Sequence, residues 1–541
     1  VTFPWKETHC YRRPMAEIVG PVTAGQGHTF VYYRNCNHNI DVAIQQRHFV
    51  QGLGAAVCQL VEFEDLIPRI PAFFLLGEGM FDIQPIEFSQ YLKGVAGYKR
   101  ERMIEVHLTR SIRPPWVSGF VKTEQMKVDV KGGQSYLMTD LHVDGPLAPH
   151  LDSYKNPRLI CSPNVSLQYV MGPLTNALAN QLKFNLRVEK QMGSIRLVMG
   201  QGLNAEELGQ QAQACEAWVA EAGGVVRLES DLKECDSHFL WPIHLRLWQM
   251  LFVAINIFSI EHNVIFKDIA DAIAYLAKSK LRSAHGLMAI IKTVMGMMSG
   301  RPDTSMLTTL MNLLINYFAA LPLSEFLDFR MAHIAMGDDG GTWLVEKYAV
   351  KTIVVLHKAF AALQMILETN IRDRMCDFEF CSGLFWPVNG RWVFGPKPGR
   401  ILARTFITKQ LVANSRKGDK HNRHLRIVAM GLEKQVSFVP VLRVIVETIM
   451  KQTHPSKPGM FFSNFAYHYQ MYNKVQRQEQ VIKPSVVFKM EEDTLRFFCQ
   501  RYDVVESEVL DFERFMAGVD YTKASVLTHP FAEKLVRFDY G

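Results

Sequence analysis

The sequence lacks the features that would assign its class at once. Its nine cysteines are scattered, odd in number and contain no CxxC pair, which speaks against a disulfide scaffold and fits a reducing compartment. No run reaches eighteen clean apolar residues. The best, 250–260, is short and contains Asn256, so it predicts a buried core helix rather than a membrane span. A membrane role would need another segment or a partner. There is no signal peptide and no internal repeat, and the first residue is Val rather than Met, which suggests a processed product or a fragment. Charge is also thin: 60 Lys and Arg against 53 Asp and Glu leave a net +7, and so mild a basic excess raises a nucleic-acid partner only modestly.

What is present describes a globular chain. Its 541 residues exceed one compact core and imply about three or four domain-sized units. Apolar residues make up 48% and charged residues 21%, the proportions of folded rather than disordered protein. Near the N-terminus, 31–34 reads as a strand and 39–53 as a helix. His9, Cys10, Cys36 and His38 are metal-ligating types, but their spacing fits no zinc finger.

The chemistry-bearing stretch is Met336-Gly337-Asp338-Asp339-Gly340-Gly341, set between apolar runs at 329–336 and 342–345. This pattern predicts a β-hairpin with both carboxylates at its tip. Adjacent acidic residues on a turn are hard-oxygen ligands suited to Mg²⁺ or Mn²⁺. They also make an ordinary surface turn, since Asp and Gly are what turns favour. A second acidic element lies upstream. Asn204 with Glu207 caps a helix that Gly223-Gly224 ends, and 225–231 then forms a strand delivering Asp231, with Asp236 five positions on. Asp231 facing the hairpin tip completes a site for two divalent ions; taken alone, it equally caps a turn.

Between these elements, 298–304 is a Gly- and Pro-bearing loop in which Asp303 or Thr304 caps an apolar helix running to 320. The hydroxyls of Ser299 and Thr304 beside Gly300 suit close approach to a sugar, and the same residues suit a plain capped core helix. Lys122, Lys127 and Lys131 on a strand-like run at 116–131, and Arg158 at a strand start, suit a triphosphate or an RNA backbone, or a lysine-guarded strand edge. Downstream, 350–367 reads as one helix. Residues 378–382 and 391–394 read as a hairpin around 387–390, and 402–426 is the most basic stretch.

In this order Lys122 and Arg158, Asp231 with Asp236, Ser299-Gly300 with Thr304, Gly337-Asp338-Asp339 and Phe380-Cys381-Ser382 resemble the motif series of viral RNA-dependent RNA polymerases. The series is most similar to that of positive-strand RNA viruses of the tombusvirus and nodavirus type, over residues 116–405. The resemblance implies an α+β right hand of fingers, thumb, and a palm built on an antiparallel sheet with helices beneath. It divides the chain into an N-terminal extension and fingers (1–224), a palm (225–395, with a fingers insertion around 240–298) and a thumb (396–541). It implies that Asp231 and Asp338 coordinate two Mg²⁺ ions, or Mn²⁺, with Asp339 assisting. Asp236 would bond the incoming ribose 2′-hydroxyl, supported by Ser299, Gly300 and Thr304, while Lys122 and Arg158 hold the triphosphate. Phe380-Cys381-Ser382 would support the primer strand. The partners implied are an RNA template and product strand, nucleoside triphosphates, other replication proteins and, indirectly, membranes in the host cytoplasm.

There are departures. The family's Asn four positions after the loop Thr is Thr308 here, with Asn312 one turn further, and its aromatic before the second Asp is Cys235. No lysine stands where a general acid is expected; Arg372 and Arg374 lie near that place, and Arg is a poor proton donor. No second basic residue follows Arg158 in 161–164. The rival readings are a reverse transcriptase, against which Asp236 argues, and a degenerate, RNA-binding scaffold, against which the three carboxylates argue.

Overall fold

The computed structural model describes residues 83–95, 97–109, 159–233, 235–239, 241–255, 300–408, 419–453, 484–523 and 525–540, with short segments at 17–18, 20–23, 28–33, 116–121, 125–129, 140–141, 267, 269, 280–282 and 288–290. Lys122, Arg158, Ser299, the helix expected at 39–53 and residues 409–418 of the basic stretch lie outside the described residues.

The centre is a five-stranded sheet. Strands β1 (Ile195–Met199), β2 (Val225–Lys233), β3 (Met331–Met336), β4 (Asp339–Val345) and β5 (Ile366–Arg372) lie in the order β5-β2-β4-β3-β1. Three neighbouring pairs are antiparallel, but β1 runs parallel to β3, so the sheet is mixed rather than antiparallel as expected. The cause is connectivity. More than a hundred residues separate β1 from β3, and so long a crossover lets both strands enter the sheet from the same end.

Helices cover both faces. The helix before β1, α1 (Val165–Asn185), is capped by Asn164. Helix α2 (Ala205–Ala220) opens with the expected capping box: Glu207 N donates to Asn204 Oδ1 at 2.8 Å, and Asn204 N donates to the Glu207 carboxylate at 3.0 Å. After it, Gly223 at φ +151° turns the chain into β2. The long connection between β2 and β3 holds α3 (Trp241–Ala254) and α4 (Thr304–Ala320). From Met306 onward α4 is buried at every position but Tyr317, packed against β1, β3, α3 and the helix that follows the hairpin. A helix enclosed on all sides is mostly apolar all round, and the polar exceptions among its buried residues are Thr308, Thr309, Asn312 and Asn316. Residues Thr304–Glu325 are in fact long and apolar enough to cross a membrane, at mean hydropathy 1.5, where no such segment was expected. Because 72% of its most apolar eighteen-residue window is buried within the fold, it is a core helix.

Helix α5 (Ala349–Ala362) follows β4 and ends earlier than the apolar pattern suggested. Gln364 takes a left-handed φ of +58°, and β5 begins two residues later. The expected 378–394 hairpin is also redrawn. Strands β6 (Gly383–Val388) and β7 (Arg391–Pro396) pair around Asn389-Gly390, both at positive φ as a type I′ turn requires, while 378–382 leads in by a separate turn. Helix α2 lies directly on this hairpin, since a Cβ at Gly209 would collide with the Trp392 carbonyl.

The C-terminal part is helical: α6 (Pro398–Arg404), α7 (Asp419–Val436), α8 (Leu442–Gln452), α9 (Glu492–Tyr502), α10 (Glu506–Ala517) and α11 (Pro530–Tyr540). Helix α9 packs on β6 through Trp386 and Phe497, 5.1 Å between ring centres. Short strands tie distant segments together: Lys280–Arg282 pairs with Trp116–Val121, Glu17–Ile18 with Ile407–Thr408, and Pro21–Val22 with Ser525–Val526.

Candidate active site

Three of the expected site residues meet at one end of the central sheet. Met336 pairs with Asp339, leaving Gly337-Asp338 as a two-residue loop. Gly337 has φ +70° and Asp338 does not share the left-handed region, the glycine-first pattern of a II′ hairpin. Next to β4 lies β2, with Ser230 opposite Gly340. One step further along both strands, Asp231 and Asp339 come level. Asp231 is exposed; Asp338 and Asp339 are half-buried.

A thiol registers all three carboxylates. Phe380 and Gly383 exchange backbone hydrogen bonds of 3.1 and 2.8 Å, and between them Cys381 and Ser382 both hold positive φ, +48° and +59°. Two consecutive non-glycine residues in that region store strain, which persists only where the surroundings hold them. Burial first, then Asp339, to which the thiol is hydrogen-bonded, then Asp338 and Asp231 push the Cys381 thiol well above its ordinary value. Cys381 is therefore a neutral donor facing the carboxylates. Phe378 and Phe380 close the space over Gly341, and Phe378 meets Trp343 edge to face at 5.1 Å.

The opposite face of the hairpin is sealed. His333 is fully buried, its Nδ1 2.7 Å from Thr342 Oγ1, and burial lowers its pKa to about 3. A Cβ on Gly340 would strike Ser230 Oγ and the His333 ring, so only glycine fits there. Beneath the corner, α4 supplies polar support. Thr309 Oγ1 accepts from Gly337 N at 2.8 Å, and Asn312 Nδ2 donates to the carbonyls of Gly337 and Asp338 at 3.3 and 3.2 Å.

The loop before α4 is built around a buried charge. Gly300 sits at φ +133°, and Asp303 occupies the N-cap position without capping. Its carboxylate turns inward instead: Oδ1 accepts from Arg301 Nε at 2.9 Å, and Oδ2 accepts from the Arg301 guanidinium at 2.8 Å and Trp248 Nε1 at 2.9 Å. His244 Nε2 lies 2.9 Å from the same Oδ2. Burial opposes the Asp303 charge, yet Arg301 and His244 outweigh it and hold the carboxyl far below its usual range. Burial and Arg301 lower His244 to about 4, so it is neutral. Thr304 is the first residue of α4, and Thr308 lies one turn on, 8% exposed. Asp236 sits in the single helical turn Cys235–His238 directly after β2.

Among the described residues no three His, Cys, Asp or Glu side chains form a ready metal cage. The carboxylates share one end of the sheet without enclosing an ion.

No family model and no curated protein matches the chain. The solved structures similar to it include two viral polymerases. The RNA-dependent RNA polymerase of a human picorbirnavirus aligns with TM-score 0.47 and 11% identity over 83% of this chain and 79% of that one. The insertion loop deletion mutant of such a polymerase aligns with TM-score 0.46 and 14% identity over 76% and 78%. Values this low transfer no residue's role to this chain.

Several contacts that shape the site were not read from the sequence: Cys381 with Asp339, Thr309 and Asn312 with the backbone of the corner, and Asp303 with Arg301, His244 and Trp248. One signal was available. In a mostly apolar helix, polar Thr309, Asn312 and Asn316 recur at helical spacing and mark one face.

Proposed function

We propose that the chain is an RNA-directed RNA polymerase, transferring nucleotides from nucleoside triphosphates to an RNA 3′-hydroxyl. The observation that carries this reading is the meeting of Asp231, from one strand, with Asp338 and Asp339, from a neighbouring hairpin, at a single sheet end beside Cys381. Like charges gathered there repel unless a cation offsets them.

The donor set fits Mg²⁺. That ion takes hard oxygens, keeps several waters and is commonly bound by one or two carboxylates plus substrate phosphates rather than a closed protein cage. An incomplete, solvent-facing set of carboxylates suits such binding. Asp231 and Asp338 would hold the ions with Asp339 assisting, and the ions would supply charge stabilisation for the entering and leaving oxygens of an in-line phosphoryl displacement. The remaining work belongs to the chain's own groups. The Asp303 cluster sets the course of the loop from Gly300 to Thr304, where a ribose would lie, and the Phe380–Gly383 turn sets the edge against which a primer end would rest. Catalysis of this kind is mainly positioning and charge neutralisation.

The test is labelled-nucleotide incorporation on a self-priming RNA hairpin with Mg²⁺ and with Mn²⁺. Template-dependent extension by the wild type and none by a folded Asp338→Asn variant is expected. Extension by both would move the metal site elsewhere, and extension by neither, with RNA binding retained, would overturn the polymerase reading.

A further inference from the structure

The corner that presents Asp338 and Asp339 is held from beneath by its neighbour α4. Its loop is two residues long, begins with a glycine and lies at the end of the sheet, where ladder bonds stop at the Met336–Asp339 pair. Helix α4 adds a side-chain restraint on the loop's backbone. Thr309 uses its single hydroxyl twice, donating to Ser305 O at 2.7 Å and accepting from Gly337 N at 2.8 Å. Asn312 Nδ2 reaches the carbonyls of Gly337 and Asp338. Asn312 is itself fixed by Asn316, whose Nδ2 donates to its backbone O and its Oδ1, both at 2.9 Å. Thr309, Asn312 and Asn316 are at most 1% exposed. In a mostly apolar helix, burying these polar groups costs stability unless each is bonded, and here their bonds converge on the loop.

The same helix begins at Thr304, at the end of the Gly300–Asp303 loop, which Asp303 anchors to Arg301, His244 and Trp248. Between Thr304 and Thr309 lies little more than one helical turn. The expected ribose loop and the carboxylate corner are thus joined by the first turns of one helix.

We propose that Thr309 and Asn312 are positioning residues: by gripping the backbone of Gly337 and Asp338 they present the corner carboxylates as divalent-ion ligands, in register with the loop that begins α4. The proposal rests on the metal-dependent polymerase reading but goes beyond it. Both residues act through the backbone of Gly337 and Asp338 rather than through a carboxylate of their own. Asn312 cannot at once hold these carbonyls and replace the family's ribose-sensing Asn, a role its position one turn beyond Thr308 had left open.

The experiment compares wild type, Thr309→Val, Thr309→Ser and Asn312→Ala, with Asp338→Asn as the blank for metal binding at the corner. Thr309→Val keeps the shape and removes the hydroxyl; Thr309→Ser keeps the hydroxyl. Two quantities are measured below the melting range: hydrogen exchange of the Gly337 amide, and Mn²⁺ binding by paramagnetic resonance. Loss of one hydrogen bond corresponds to about a tenfold change in either quantity. Thr309→Val should exchange Gly337 about tenfold faster and bind Mn²⁺ about tenfold more weakly, Thr309→Ser should restore both, and Asn312→Ala should weaken Mn²⁺ binding similarly. Unchanged exchange in Thr309→Val, or faster exchange with unchanged Mn²⁺ binding, would overturn the proposal, as would no Mn²⁺ binding by wild type above the Asp338→Asn blank. The expected exchange and Mn²⁺ changes with no nucleotide incorporation by wild type would support the positioning role while removing the polymerase reading.

Discussion

The backbone amide of Glu379 donates to the Glu229 carboxylate at 2.8 Å, joining two acidic residues that stand two positions before Asp231 and two before Cys381. Glu229 is neutralised by Arg372 through bonds of 2.9 and 3.1 Å. Glu379 is gripped by Lys397 at 2.7 Å and by Arg501, which also donates to Cys376 O at 2.7 Å. Arg501 lies against Asp539, which accepts from Tyr502 OH at 3.0 Å and Gly399 N at 2.7 Å. The strained Cys381-Ser382 turn is therefore tied on one side to the strand that carries Asp231 and on the other to α9 and α11.

Arg501 is the residue whose loss tests this link. Its side chain is 1% exposed and faces the fully buried Asp539; removing one partner from a buried ion pair typically costs about 3–5 kcal/mol, and Lys397, which stays with Glu379, places the expected cost toward the lower end. Arg501→Met should lower unfolding stability by about that amount in urea titration. Arg496→Met, which removes only the exposed pairs with Glu492 and Asp493, should cost less than about 1 kcal/mol. Equal costs would mean that the network contributes no more than a surface pair.

The hairpin at 336–341 and the strand ending near Asp231 were legible because each is a local pattern: apolar runs, a Gly-Asp-Asp corner, and a helix bounded by Asn204 and Gly223. What holds them was not legible, because it depends on pairs far apart in sequence, such as Asp303 with Trp248, or Asn312 with Asp338. Asp303 reads as an N-cap from its neighbours, and only the burial of Arg301 beside it explains why the carboxylate turns inward. The apolar run at 350–367 hides a left-handed Gln364, a residue with no strong sequence signature for that conformation. The mixed character of the sheet follows from a crossover whose length was visible but whose direction was not.

Asp303 supplies a second prediction. Asp303→Asn keeps the size and removes the charge that offsets buried Arg301. It should destabilise the fold by about 3 kcal/mol in urea titration. If the loop it anchors receives the ribose, the KM for nucleoside triphosphate should rise more than kcat falls. A loss confined to stability would separate the loop from substrate recognition.

The buried histidine under the corner predicts a pH dependence. His333 falls to about 3 in the fold, against an ordinary 6.5 when the chain unfolds. Above pH 6.5 it is neutral in both states and adds no pH dependence. As pH falls below 6.5 the unfolded chain takes up the proton and the folded one does not, so stability drops progressively toward pH 3. Between pH 7 and pH 4 this single group accounts for about 3 kcal/mol. His333→Gln, compared with wild type by denaturant titration at several pH values, should lose less stability over that interval. Parallel curves would mean that His333 is reached by protons in the fold.

Gly340 offers the sharpest separation between space and chemistry. It adjoins Asp339 in β4 and needs no special backbone angle, being absent from the positive-φ glycines. Its requirement is room alone, since a Cβ would strike Ser230 Oγ and the His333 ring. Gly340→Ala should cost about 1–3 kcal/mol by overpacking, and it should cut nucleotide incorporation, because the displaced strand carries Asp339. Ser230→Ala removes one of the two obstacles. The double variant should regain part of both stability and incorporation, a non-additive result that contact between the two sites demands. Additive losses would show that β2 and β4 yield independently and that the carboxylates they carry are not held in a common frame.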